Sequence, residues 1–250
     1  MPEHFRALIV ILFVAGIVFT LARKPASDLI PFADFKRRRN LWFVITLVAF
    51  LSHSFWLYAA AAVVLLTMAR RRERNPMALF FMLLFVIPPA SAPVPGFGVV
   101  NYVVDLNHIR LLTLCVLLPA ALALSKKSDN ITFGRTLPDK LLAASMALMA
   151  GLYLRETTVT DTLRQAFYLY IDVFLPYYVA SRALKNIDDF KDAILAFVLA
   201  SFVLALIGVA ETLRSWLLYN ALVDAMLRSP AHIIATMRAK QDYVLETNDK

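Results

Sequence analysis

Seven long apolar blocks constrain this 250-residue chain more than anything else in it: Phe5–Ala22, Leu41–Ala69, Met77–Val104, Ile109–Leu124, Leu141–Leu154, Gln165–Ala180 and Ala193–Val209. A bilayer's hydrocarbon core is ~30 Å thick and takes about 20 residues of helix to cross. Blocks of 14 to 29 residues therefore read as membrane segments. A soluble domain is roughly half apolar, whereas this chain is 60% hydrophobic with a mean hydropathy of +0.66. The expected fold is all-α: a polytopic transmembrane helical bundle of about seven to eight segments, some short or broken.

Charge placement sets the expected topology. The net charge is +8, and 17 of the 26 Lys and Arg residues fall in four short stretches, 23–40, 70–74, 125–140 and 182–191. Basic residues in short loops mark the cytoplasmic side of a membrane protein. A nucleic-acid binder would need a folded polar surface to carry its bases, so no nucleic-acid partner is expected. The one cysteine, Cys115, sits inside an apolar block and excludes an internal disulfide. The four histidines are far apart, and no metal or other cofactor is expected. The first block is followed by Arg23-Lys24-Pro25 where a signal peptide would have small residues, so it reads as a retained span.

Two blocks are interrupted. Block 41–69 would be ~43 Å long as one helix, but Ser52-His53-Ser54 divides it and bases flank both ends. It admits either a short hairpin or one long tilted helix. Block 77–104 is broken by four prolines and two glycines between Pro88 and Gly98, which cannot continue a regular helix. This irregular stretch is expected at the outer face. The transmembrane region is expected over 1–214. Residues 215–228 suit an interfacial amphipathic helix, and 229–250 form a polar tail.

On this topology the outer helix ends collect Asp105, His108, Arg110, Arg155, Glu156, Arg164, Glu211 and Arg214. Arginine forks suit phosphate bidentately, so Arg110, Arg155, Arg164 and Arg214 are candidates for holding a lipid diphosphate. Interfacial anchoring at helix ends is the competing account. Asp172 stands alone in the middle of its block, where a carboxylate costs about 2.5–3.5 kcal/mol to insert. It is either a proton or cation group or a structural hydrogen-bond partner. His53 lies between two serines with no carboxylate or cysteine at useful spacing. No triad, paired carboxylate or metal constellation appears, and catalytic residues are not evident.

The segment Leu175-Pro-Tyr-Tyr-Val-Ala-Ser-Arg-Ala-Leu-Lys-Asn-Ile-Asp-Asp-Phe-Lys-Asp-Ala-Ile-Leu195 resembles the N-terminal half of bacterial O-antigen ligase and polysaccharide polymerase-type membrane proteins. In that group a span ends in Leu-Pro-Tyr, a Ser-Arg turn follows, and an Asp-Phe pair opens the next span. Residues 75–112 look like the same group's early region. The resemblance implies a multi-pass protein of the bacterial inner membrane. Its activity would be transfer or polymerisation of a glycan from undecaprenyl diphosphate on the periplasmic side, in cell-surface polysaccharide biosynthesis, with no metal or nucleotide. Membrane lipid and the lipid-linked glycan are the implied partners. The family continues through a large periplasmic loop and further spans, which residues 226–240 do not reproduce, so a truncated chain, inactive alone, is expected. Alternatives from other classes are a small transporter or flippase component, with Asp172 and segment 88–98 lining a path, and a non-catalytic membrane scaffold. Within the quoted segment, Asn186 or Asp188 is expected to cap the incoming helix, as a topological staple rather than a site.

Overall fold

The computed structural model describes residues 3–52, 54–87, 90–95, 102–127, 130–220 and 222–223. Its helices are α1 (Glu3–Leu21), α2 (Arg23–Ser27), α3 (Phe32–Leu51), α4 (Phe55–Arg71), α5 (Pro76–Leu83), α6 (His108–Leu112), α7 (Leu118–Ser125), α8 (Leu137–Glu156), α9 (Val159–Leu169), α10 (Leu175–Ala183) and α11 (Ile187–Arg214). Four helical stretches are long and apolar enough to cross a membrane: Glu3–Leu21, His108–Ser125, Leu137–Glu156 and Ile187–Arg214.

The chain is not purely helical. Strands β1 (Ser91–Pro95) and β2 (Tyr102–Asn107) pair antiparallel, with Pro93 opposite Asp105 and an irregularity at Val94/Pro95. The prolines do stop a helix here, as their sequence demands. Spaced two apart, however, Pro93 and Pro95 lack their N–H groups on one strand edge only, so a short two-stranded pair survives. The Gly-Phe-Gly connection falls outside the described residues.

Segment 41–69 is a helical hairpin. Arg37 Nη2 at the start of α3 donates to Glu73 Oε2 just past the end of α4, at 2.9 Å, so both ends lie together. Its arms are 20 and 17 residues long, because α3 begins at Phe32 and takes the basic run 36–39 into its first turns. The tip histidine, His53, is outside the described residues.

Helix α5 sits at the centre. All but Pro76 and Phe81 of its PMALFFML sequence are buried, as expected of a helix apolar on every side. It packs against α11, α3 and α10. The stripe Ala193, Ala196, Leu199, Ala200 and Val203 on α11 is buried; small residues of this kind let helix backbones approach. Helix α1 completes the layer, with Phe19 edge-on to Trp42 and Phe43 of α3. Helix α8 is the opposite case: Leu141, Leu148, Leu152 and Leu154 are all exposed, and Asp139 is its one buried residue.

Two π-helical turns, Thr113–Leu117 and Tyr170–Phe174, join α6 to α7 and α9 to α10. Each stands directly before a Leu-Pro pair, Leu118-Pro119 and Leu175-Pro176. A proline in a helix offers no N–H to the carbonyl four residues back and its ring crowds that carbonyl. The chain relaxes by widening one turn: Leu118 N–H reaches Thr113 O and Leu175 N–H reaches Tyr170 O, five residues back. The two widened turns pack against each other.

After α11, Ser215 takes a left-handed φ of 50°. Leu218 N–H then donates to Glu211 Oε1 at 2.8 Å, and Leu218 and Leu222 are buried. Of the amphipathic helix expected over 215–228, residues 215–219 form turns and coil rather than helix, and 220, 222 and 223 are helical; 221, 224–228 and all of the tail lie outside the described residues.

Candidate functional site

Charge is arranged differently at the two ends of the bundle. At the end where the base-rich connections meet, it is buried and fastened. Arg38 is 3% exposed; its Nη2 donates to Glu73 Oε1 at 2.7 Å and to Asp192 Oδ2 at 2.9 Å. Asn75 accepts from Met77 and Ala78 N–H, capping α5, while its Nδ2 donates to Asp189 O and Asp192 Oδ2. Burial pushes the Glu73 carboxyl up, but the hydrogen bonds and charges of Arg38 and Arg37 outweigh it and hold the group below its ordinary range.

A second knot joins α8 to α10. Asp139 is fully buried and takes both arms of the Arg182 fork, Nη1 to Oδ1 at 3.0 Å and Nη2 to Oδ2 at 2.7 Å. Tyr177 Oη and Gly134 N–H donate to the same carboxylate, and the guanidinium lies 4.8 Å from the Tyr178 ring centroid. Neither knot was legible as a pairing in the sequence, where these bases read as topology markers. Asn186 occupies the cap position of α11 without a side-chain cap bond; that helix start is held instead through Asp192 and Asn75.

The opposite end carries the residues singled out for an anion. Arg110 follows the cap residue Asn107, whose side chain accepts from Arg110 N–H. Its Nη1 donates to Asp105 O at 2.6 Å, and its Nη2 to Asp172 Oδ2 at 3.0 Å. Its guanidinium lies 3.6 Å from the Tyr168 ring centroid, and Tyr168 Oη in turn accepts from Asp105 N–H. Asp172 is therefore not alone: it sits in a π turn and pairs with Arg110, 36% exposed against 14% for the arginine. Sequence separation of 62 residues hid this pair.

Arg164 Nε donates to Val103 O at 3.3 Å, and Nη1 to Asp161 Oδ1 at 2.8 Å. Asp161 is 45% exposed and is oriented by Thr158, the cap of α9. Arg110 and Arg164 thus both anchor on carbonyls of β2. Beside Arg164 opens an almost wholly apolar groove of about 480 Å³, lined by Val103, Val104, Thr160, Leu163, Arg164 and Phe167. Arg155 and Arg214 are exposed at the ends of α8 and α11, and neither side chain makes a hydrogen bond or ion pair among the described residues.

Between the two ends lies a buried polar link missed in the sequence. His108 Nε2 is 2.9 Å from Leu83 O, and its Nδ1 is 2.6 Å from Tyr58 Oη. A carbonyl only accepts, so Nε2 carries the proton and Nδ1 accepts from the tyrosine. Both side chains are buried, which makes His108 a strut between α4, α5 and α6. Among the described residues no three His, Cys, Asp or Glu side chains gather to hold a metal ion.

Compared with known proteins, the chain matches no family model, no curated protein and no solved structure.

Proposed function

We propose that this chain is a multi-pass protein of the bacterial inner membrane, with about seven to eight membrane segments and its basic end in the cytoplasm. Its function in this reading is to form the N-terminal part of an enzyme that transfers or polymerises a glycan carried on undecaprenyl diphosphate at the periplasmic side. One observation carries the reading: Arg164, which shares its β2 anchor with Arg110, lines an apolar groove at the end opposite the basic loops. A lipid diphosphate combines an apolar tail with a strongly anionic head, and this arrangement offers a surface to each. Asp161, 45% exposed against 10% for Arg164, is the accessible member of the pair and the one that a phosphate oxygen replaces in this reading. No residue is assigned to the transfer chemistry itself.

The test is made in cells that assemble surface polysaccharide with the complete enzyme. Arg164→Gln is expected to cut glycan transfer about tenfold, and Arg110→Gln with Arg164→Gln about a hundredfold, at unchanged protein level. Full transfer by the double variant would sink the proposal.

A second reading is favoured by Asp172, whose carboxylate is 36% exposed on a widened helical turn. There the chain is a transporter or flippase component, and Asp172 exchanges its arginine for a proton or cation. Proton-coupled flux abolished by Asp172→Asn, with polysaccharide transfer intact, would select it.

A further inference from the structure

We infer a second anion site, at the basic end, that takes a phosphate ester carrying a free hydroxyl. A cleft of about 470 Å³ opens there between the end of α4, the end of α7 and the end of α10. Among the described residues its lining holds six basic side chains against two acidic ones. Of the bases, the side chains of Arg70, Arg71, Arg74, Lys127 and Lys185 make no hydrogen bond or ion pair among the described residues. The two acids are Glu73, already committed to Arg37 and Arg38, and Asp189.

Topology marking alone accounts for exposed bases in loops. It does not account for two buried polar atoms, on two lining residues, that have no partner among the described residues. Arg182 lines the cleft, is 5% exposed, spends both Nη groups on Asp139, and keeps a buried Nε–H with no partner among the described residues. An unmatched buried donor of this kind costs about 1–3 kcal/mol, which a shift of the side chain toward an anion oxygen in the cleft offsets. Asn130 donates its Nδ2 to Leu124 O, which fixes the amide, and leaves Oδ1 buried without a donor among the described residues. That oxygen cannot serve a phosphate oxygen; it suits a hydroxyl. Together they define a ligand: an anionic phosphate toward Arg182 and the free bases, with a hydroxyl toward Asn130. The headgroup of an anionic glycerophospholipid has this chemistry, and so has a free sugar or polyol phosphate. The site is independent of the groove at the other end.

The full chain, reconstituted in phosphatidylcholine nanodiscs, is titrated with glycerol phosphate; in a parallel arm the discs contain phosphatidylglycerol and co-purifying lipid is counted by native mass spectrometry. Saturable binding in the first arm assigns a soluble ligand, and selective retention only in the second assigns a lipid headgroup. Either is expected to weaken about tenfold in Lys127→Gln/Lys185→Gln, two exposed positions, and to stay within twofold in Arg155→Gln at the opposite end. Asn130→Asp, which puts a negative charge beside the phosphate, is expected to abolish it. Absence of binding in both arms, or binding that the lysine double variant leaves within twofold, overturns the inference.

Discussion

The ion pairs at the two ends of the bundle are built from the same residue types and do different work. At the basic end, Arg38, Glu73, Asp139 and Arg182 are nearly inaccessible and each carboxylate takes several donors. At the far end, Arg110 and Arg164 keep partners that are a third or more exposed. A buried pair resists exchange because removing one member strands the other charge away from water. A pair whose carboxylate is exposed is weaker, because that carboxylate can return to water and be screened there. Fastening and availability follow from burial rather than from residue identity.

The substitution that strains this contrast hardest is Asp139→Ala, which leaves Arg182 buried without its partner. Loss of one member of a buried pair costs about 3–5 kcal/mol, read as a large drop in thermal unfolding midpoint in detergent, with α8 detaching first because no other residue of that helix is fully buried. Glu73→Gln is expected to cost less, since Asp192 still holds Arg38. It also carries a pH signature. A carboxyl held below its ordinary pKa contributes stability that is present above the unfolded value, about 4.3 for Glu, and is lost as pH falls through the folded one. Wild-type stability should therefore fall in acid below that value, and Glu73→Gln should flatten the part due to this group. Tyr58→Phe leaves His108 Nδ1 without its donor, at about 1–3 kcal/mol, and shows whether buried polar contacts matter beyond the basic end. Asp172→Asn is expected to cost the least, about 0–1 kcal/mol. A loss as large as that of Asp139→Ala would erase the distinction between the two ends.

Much of the helical frame was legible because apolar blocks announce themselves: expected boundaries 109–124, 141–154 and 193–209 lie inside observed helices 108–125, 137–156 and 187–214. The helices run longer than the blocks because capping residues and charged first turns, such as Thr136 with Asp139, extend them past the apolar core. The β pair was hidden because prolines signal only the end of a helix and leave the next element open. The π turns had a local signal, a Leu-Pro pair inside each long segment, that hydropathy overlooks. Among site residues, the sequence placed Arg110 and Arg164 at one end. Their shared anchor on β2, and the pairing of Arg110 with Asp172, depend on contacts about 60 residues apart. Arg155 and Arg214 share the residue type without the groove.

Occupancy of the groove beside Arg164 by the tail of a lipid diphosphate can be read by photo-crosslinking. A diazirine-bearing polyprenyl diphosphate is added to the reconstituted chain and the labelled peptides are mapped. Labels concentrated at Leu163, Phe167 and Val103, and reduced about tenfold by Arg164→Gln but not by Lys191→Gln, are the predicted result. Labels spread along the bare face of α8, at Leu141 and Leu148, and indifferent to Arg164→Gln, would contradict it.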